Sequence, residues 1–147
     1  VATAEKKFGE ETFQTRHLPP TEAQRLLLRI SKLAGPLITE VIAAIASLNP
    51  DQQARDSQAI IAFGKFLTDV DADEAEQLVH YLISQVKIKN VQHGYYEDIV
   101  FDVHFADNLI RAWQVAWWVL EVNYRSFYSA VGESGLFRAT LSSAKVS

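Results

Sequence analysis

A mainly α fold, four to five helices with one or two short β-hairpins, is the expectation from three observations. The long apolar stretches recur near the 3.6-residue period of a helix, only short segments alternate as strands do, and Gly or Pro punctuates the helical stretches at Gly35, Pro36, Pro50 and Gly132. The 147 residues, 48% hydrophobic and 22% charged, match one compact globular domain whose core needs neither disulfide nor metal. Residues 1–20 are expected to form a hairpin or arm, 21–141 the helical core and 142–147 a frayed tail.

Each element has a local reason. Phe8, Phe13 and Thr15 flank Gly9-Glu10-Glu11, a turn between segments with β character, and Pro19-Pro20 stops that hairpin. Thr21 and Gln24 have capping-box spacing, and Leu26, Leu27, Ile30 and Leu33 continue a first helix to Gly35. Pro36 suits the first turn of a second helix, whose stripe is Leu37, Val41, Ile42, Ile45 and Leu48 before Asn49-Pro50. After a polar stretch from Asp51 to Ser57, a third helix carries Ile60, Ile61, Phe63, Phe66, Leu67 and Val70. Asp71 to Glu74 place acidic residues at the start of a fourth, with Leu78, Val79, Leu82, Ile83 and Val86 apolar. Val86 to Lys89 alternates, as do Ile99, Phe101, Val103 and Phe105, which predicts a second hairpin around Asn90 to Glu97. The last helix, from about Phe105 to Val131, carries Leu109, Trp113, Trp117, Leu120, Tyr124, Phe127 and Val131 on one stripe, and Gly132 to Gly135 close it.

Composition excludes several classes. A net charge of −4 gives no field to attract nucleic acid, and the absence of Cys removes disulfides, thiolate metal sites and thiol catalysis. The first nine residues are charged where a signal peptide needs an apolar run, and Asp107, Arg111, Glu121 and Arg125 interrupt the longest apolar stretch. Neither export nor membrane insertion is expected.

The near-miss motifs favour structural roles over chemistry. Gly132-Glu133-Ser134-Gly135 is one residue short of a nucleophile elbow and follows a helix, not a strand. Asp69, Asp71 and Asp73 fit the opening of a calcium loop, yet Glu74 occupies the glycine position and His80 that of the bidentate glutamate. His17, His80, His93 and His104 share no metal-ligand spacing, and Asp102 with His104 and Asp107 more readily caps or orients than catalyses. No phosphate-binding glycine loop occurs among the six glycines. Catalytic, cofactor and metal residues are therefore expected to be none, and the chain is not expected to be an enzyme.

The aromatic last helix is the informative feature, because a soluble helix needs only one stripe buried. Val115, Trp118 and Val122 form a second apolar face. Two explanations stay open: a central helix wrapped by the others, or a surface that receives an apolar helical partner. On the second, Val115, Trp118 and Val122 are the partner-binding candidates. Trp113 and Trp117 are expected in the core and Trp118, about 100° round the helix from Trp117, is expected to be more accessible.

Two series of residues resemble the tail assembly chaperones of long-tailed bacteriophages. The first is Phe8-Gly9-Glu10-Glu11-Thr12-Phe13, then Leu18-Pro19-Pro20-Thr21, Leu26-Leu27-Leu28 and Lys32-Leu33-Ala34-Gly35-Pro36. The second is Phe101-Asp102-Val103-His104-Phe105, then Trp117-Trp118-Val119-Leu120-Glu121-Val122-Asn123-Tyr124 and Ser126-Phe127-Tyr128. In order, they frame nearly the whole chain. The resemblance implies a non-enzymatic protein of the host bacterial cytoplasm that binds and solubilises the long helical tape measure protein. It further implies help in recruiting tail tube subunits, and absence from the mature virion. Self-association is left open, and the alternative is a structural tail or baseplate component that stays in the particle.

Overall fold

The structure, a computed structural model, describes residues 3–34 and 52–133, with side chains described for 3–33 and 60–125. Its elements run β1 (Thr3–Phe8), β2 (Glu11–Arg16), α1 (Pro20–Ala34), α2 (Gln52–Asp69), α3 (Ala72–Ile83), β3 (Val86–Lys89), β4 (Tyr96–Asp98), α4 (Phe101–His104) and α5 (Leu109–Glu133). The expectation of a mainly α fold is overturned. Among the described residues five helices accompany one four-stranded antiparallel sheet, in the order β1-β2-β3-β4, so the fold is α+β.

The two hairpins are one sheet because β2 pairs with β3, setting Phe13 opposite Ile88 and Thr15 opposite Val86. Phe13, Thr15, Val86 and Ile88 are all buried and share the inner face, while Gln14 and Lys87 face outward. The Thr15 hydroxyl, buried among these apolar neighbours, donates to the carbonyl of Gln85 at 3.3 Å. Gly9 turns the first hairpin at φ 60°, a conformation that other residues adopt only under strain. The outer strands are charged, with Glu5, Lys6 and Lys7 on β1 and Glu97 and Asp98 on β4, which discourages further strand pairing.

The helices begin where local chemistry satisfies their first N–H groups. α1 starts at Pro20, one residue before the expected Thr21. Proline at a first helical position loses no hydrogen bond, and the carbonyl of Pro19 accepts from the Ala23 amide at 2.9 Å. α2 reaches back to Gln52, so the polar stretch expected to lead into it belongs to the helix. At α3 the Asp71 carboxylate accepts from the amides of Asp73 and Glu74 at 3.2 and 3.3 Å. The second helix expected from Pro36 to Leu48 lies outside the described residues.

Ile99 to Phe105 corrects a second expectation. Its alternation is not a strand: Phe101 and Phe105 are four apart in and just after α4, with rings 5.5 Å apart edge-on. The last helix starts later than expected, at Leu109, because Asn108 accepts from the Arg111 amide at 3.0 Å. α5 is the centre of the fold. From Val115 to Leu120 every residue is buried, with Trp117 against Phe63 of α2 and Trp118 against Phe8 of β1. Side-chain bonds fix its register: Asn123 Oδ1 accepts from the Leu18 amide at 2.7 Å, and the Tyr124 hydroxyl donates to the Ala23 carbonyl at 2.6 Å.

Candidate functional site

The two apolar faces of α5 have different covers. Phe63 lies 5.7 Å from Trp117 on the helical side, and Phe8 lies 6.1 Å from Trp118 on the sheet side. Arg111 pins the hairpin over this second face by donating to the Phe8 carbonyl at 2.6 Å. Of the three expected partner-binding residues, Val115 is fully buried, Trp118 is 6% exposed and Val122 is half-buried. Trp118 and Val122 meet in a shallow groove with Ala4, Lys6, His17, Glu121 and Arg125, whereas Val115 lines none of the described pockets. The expected order of tryptophan exposure is corrected. Trp117 is buried, but so is Trp118, and Trp113 is the more accessible of the three.

Trp113 opens onto an apolar cleft of about 450 Å³ formed by four elements. α2 contributes Leu67 and Thr68, and α3 contributes Ala72, Ala75, Glu76, Val79 and His80. Phe101 and Asp102 of α4 and Leu109 and Trp113 of α5 complete it. Small residues, Ala72 and Ala75, line the cleft on its α3 side. Leu109 is 56% exposed, and its neighbour Ile110 is also open to solvent. The cleft is open to solvent, and two exposed acidic residues, Glu76 and Asp102, are among those that line it.

These cleft residues were not singled out by periodicity. Leu109 and Trp113 sit on the stripe assigned to the core, and Phe101 in a stretch read as a strand. The lining comes from two stretches far apart in the chain, residues 67–80 and 101–113, so their shared concavity follows only from the tertiary fold. Leu109, an apolar residue in the first turn of α5, is the signal that points there.

The remaining polar groups serve structure. His104 Nδ1 lies 2.9 Å from the amide nitrogen of Val100 and its Nε2 lies 4.0 Å from Glu97, so its carboxylate neighbour is Glu97 and not Asp102 or Asp107. His80 packs against Phe101, with ring centres 4.4 Å apart and ring planes tilted by 30°. Among the described residues no cluster of His, Asp or Glu could hold a metal ion. Burial, and then the nearby Glu5 carboxylate, raises the pKa of Tyr96 above its usual 10.0. No helix among the described residues is long and apolar enough to cross a membrane.

Comparison with curated proteins and with solved structures found no match. A family model, by contrast, spans residues 9–137, from the turn of the first hairpin through all of α5, and is described as phage tail assembly chaperone protein, TAC. Both series of residues noted in the sequence fall largely within that span, and on this match the chain belongs to the phage tail assembly chaperone family.

Proposed function

We propose that this chaperone holds apolar segments of the tape measure protein in solution during tail assembly and yields them to tail tube subunits. It acts in the host cytoplasm and leaves no copy in the virion. A long helical protein exposes apolar stripes that aggregate unless another apolar surface covers them. The observation that carries the reading, beside family membership, is the open apolar cleft beneath Trp113 and Leu109. Holding requires no bond to be made or broken, which suits a chain built around an aromatic helix.

The groove at Trp118 and Val122 is a second contact in this proposal, reached along the partly open edge at Val122. Val115 is fully buried and takes no part in that groove.

Co-expression with the tape measure protein of the same phage tests the reading. The wild-type chain should keep that protein in the soluble fraction, and purified virions should lack the chain. A tape measure protein that aggregates equally with and without it, or stoichiometric retention in virions, would overturn the proposal. The second result would favour a structural tail component.

A further inference from the structure

We infer that the Trp113 cleft selects its occupant by charge: it docks an amphipathic helix whose apolar stripe is flanked by lysine or arginine. The identity of that helix as a tape measure segment rests on the proposed function, but the selectivity follows from the cleft itself. Its lining is largely apolar, with Leu67, Val79, Phe101, Leu109 and Trp113. No lysine or arginine is among the residues lining it. The Glu76 and Asp102 carboxylates are exposed, and among the described residues neither forms a hydrogen bond or ion pair. An adjoining depression adds Asp73 beside Glu76.

This arrangement distinguishes between occupants. A drug-sized molecule binds best where most of its surface is enclosed, whereas an open cleft leaves one side of its occupant in water. A helix laid along the cleft buries its stripe and keeps its polar face wet. The two exposed carboxylates of the lining repel an acidic flank and attract a basic one, which sets orientation and partner choice more than affinity. A second copy of this chain is a poorer fit, because its net charge is −4.

The test uses the full chain and two synthetic helical peptides. Both carry leucines at i, i+3, i+4 and i+7, one flanked by lysines and the other by glutamates. The lysine peptide should bind roughly three to tenfold more tightly at low salt, as expected for two exposed charge pairs. That preference should shrink in about 1 M salt. Glu76→Lys combined with Asp102→Lys should reverse it, and both positions are exposed, so folding should survive. Leu109→Asp should weaken the lysine peptide about thirtyfold, the loss typical of a central apolar anchor, with an unchanged circular dichroism spectrum. Equal affinity for the two peptides, or no effect of the double charge reversal, would overturn the inference. So would a dimer of this chain that Leu109→Asp dissociates, since a second copy would then fill the cleft. These readings do not involve the tape measure protein, so they fail or succeed independently of the solubility assay.

Discussion

Trp117 and Trp118 are adjacent residues buried by different parts of the molecule, one by Phe63 of α2 and the other by Phe8 of β1. Replacing either by Ala should therefore cost about 3–5 kcal/mol, measurable in urea denaturation. A much smaller loss for Trp118→Ala would mean that the hairpin does not cover it. Trp113 should be the most readily quenched of the three in single-tryptophan variants. The burial of Trp117 was legible in its helical stripe. That of Trp118 was not, because its cover comes from a strand at the other end of the chain. Tyr96 supplies a pH dependence. With its pKa raised above 10.0, the folded chain holds the phenolic proton more tightly than the unfolded chain. This stabilising contribution is intact below the unfolded pKa and is lost as pH rises through the folded value. Wild type should accordingly lose stability more steeply than Tyr96→Phe between about pH 9 and about pH 11. Parallel losses would remove the assignment.

At the scale of elements, two of the helix starts are set by short polar side chains. Asp71 at α3 and Asn108 at α5 each accept from backbone amides of the first turn, so Asp71→Ala and Asn108→Ala should each cost about 0.5–2 kcal/mol by thermal or urea unfolding. A loss under a few tenths would show that water satisfies those amides equally well. The Asp71 start could be read from the acidic run that follows it. Asn108 could not, because Ile99, Phe101, Val103 and Phe105 satisfy a strand period while the four-residue spacing of Phe101 and Phe105 also satisfies a helix. Burial settles such ambiguity, and a local period contains no information about it. For the same reason the cleft could not be read in advance: Leu109 and Trp113 lie on a stripe that is core in the middle of α5 and surface at its start.

Across the whole molecule, ring contacts join the sheet to α4 and α5. Trp118 meets Phe8, Phe8 meets Phe13 at 5.8 Å, Phe13 stacks on Phe105 at 6.2 Å, and Phe105 meets Phe101, which lines the cleft. Phe13 is the junction. It is fully buried on β2, and it sits opposite Ile88 in the pairing that unites the two hairpins. The hairpins themselves are local and were legible. Their union was not, since pairing β2 with β3 closes a long loop in which three helices lie among the described residues, and the decision is made by the apolar face they share. Cooperative unfolding follows from this connectivity, because the helical layer cannot keep its second apolar face buried once the sheet leaves. Phe13→Ala should cost about 3–5 kcal/mol and lower the transition seen by far-ultraviolet circular dichroism and by tryptophan fluorescence together. Helices that persist through a separate, earlier loss of Trp118 shielding would show that the sheet is a detachable cover. In that case Val115, Trp118 and Val122 would become accessible as a group without global unfolding, and the sheet-side face of α5 would replace the Trp113 cleft as the first surface to test against the tape measure protein.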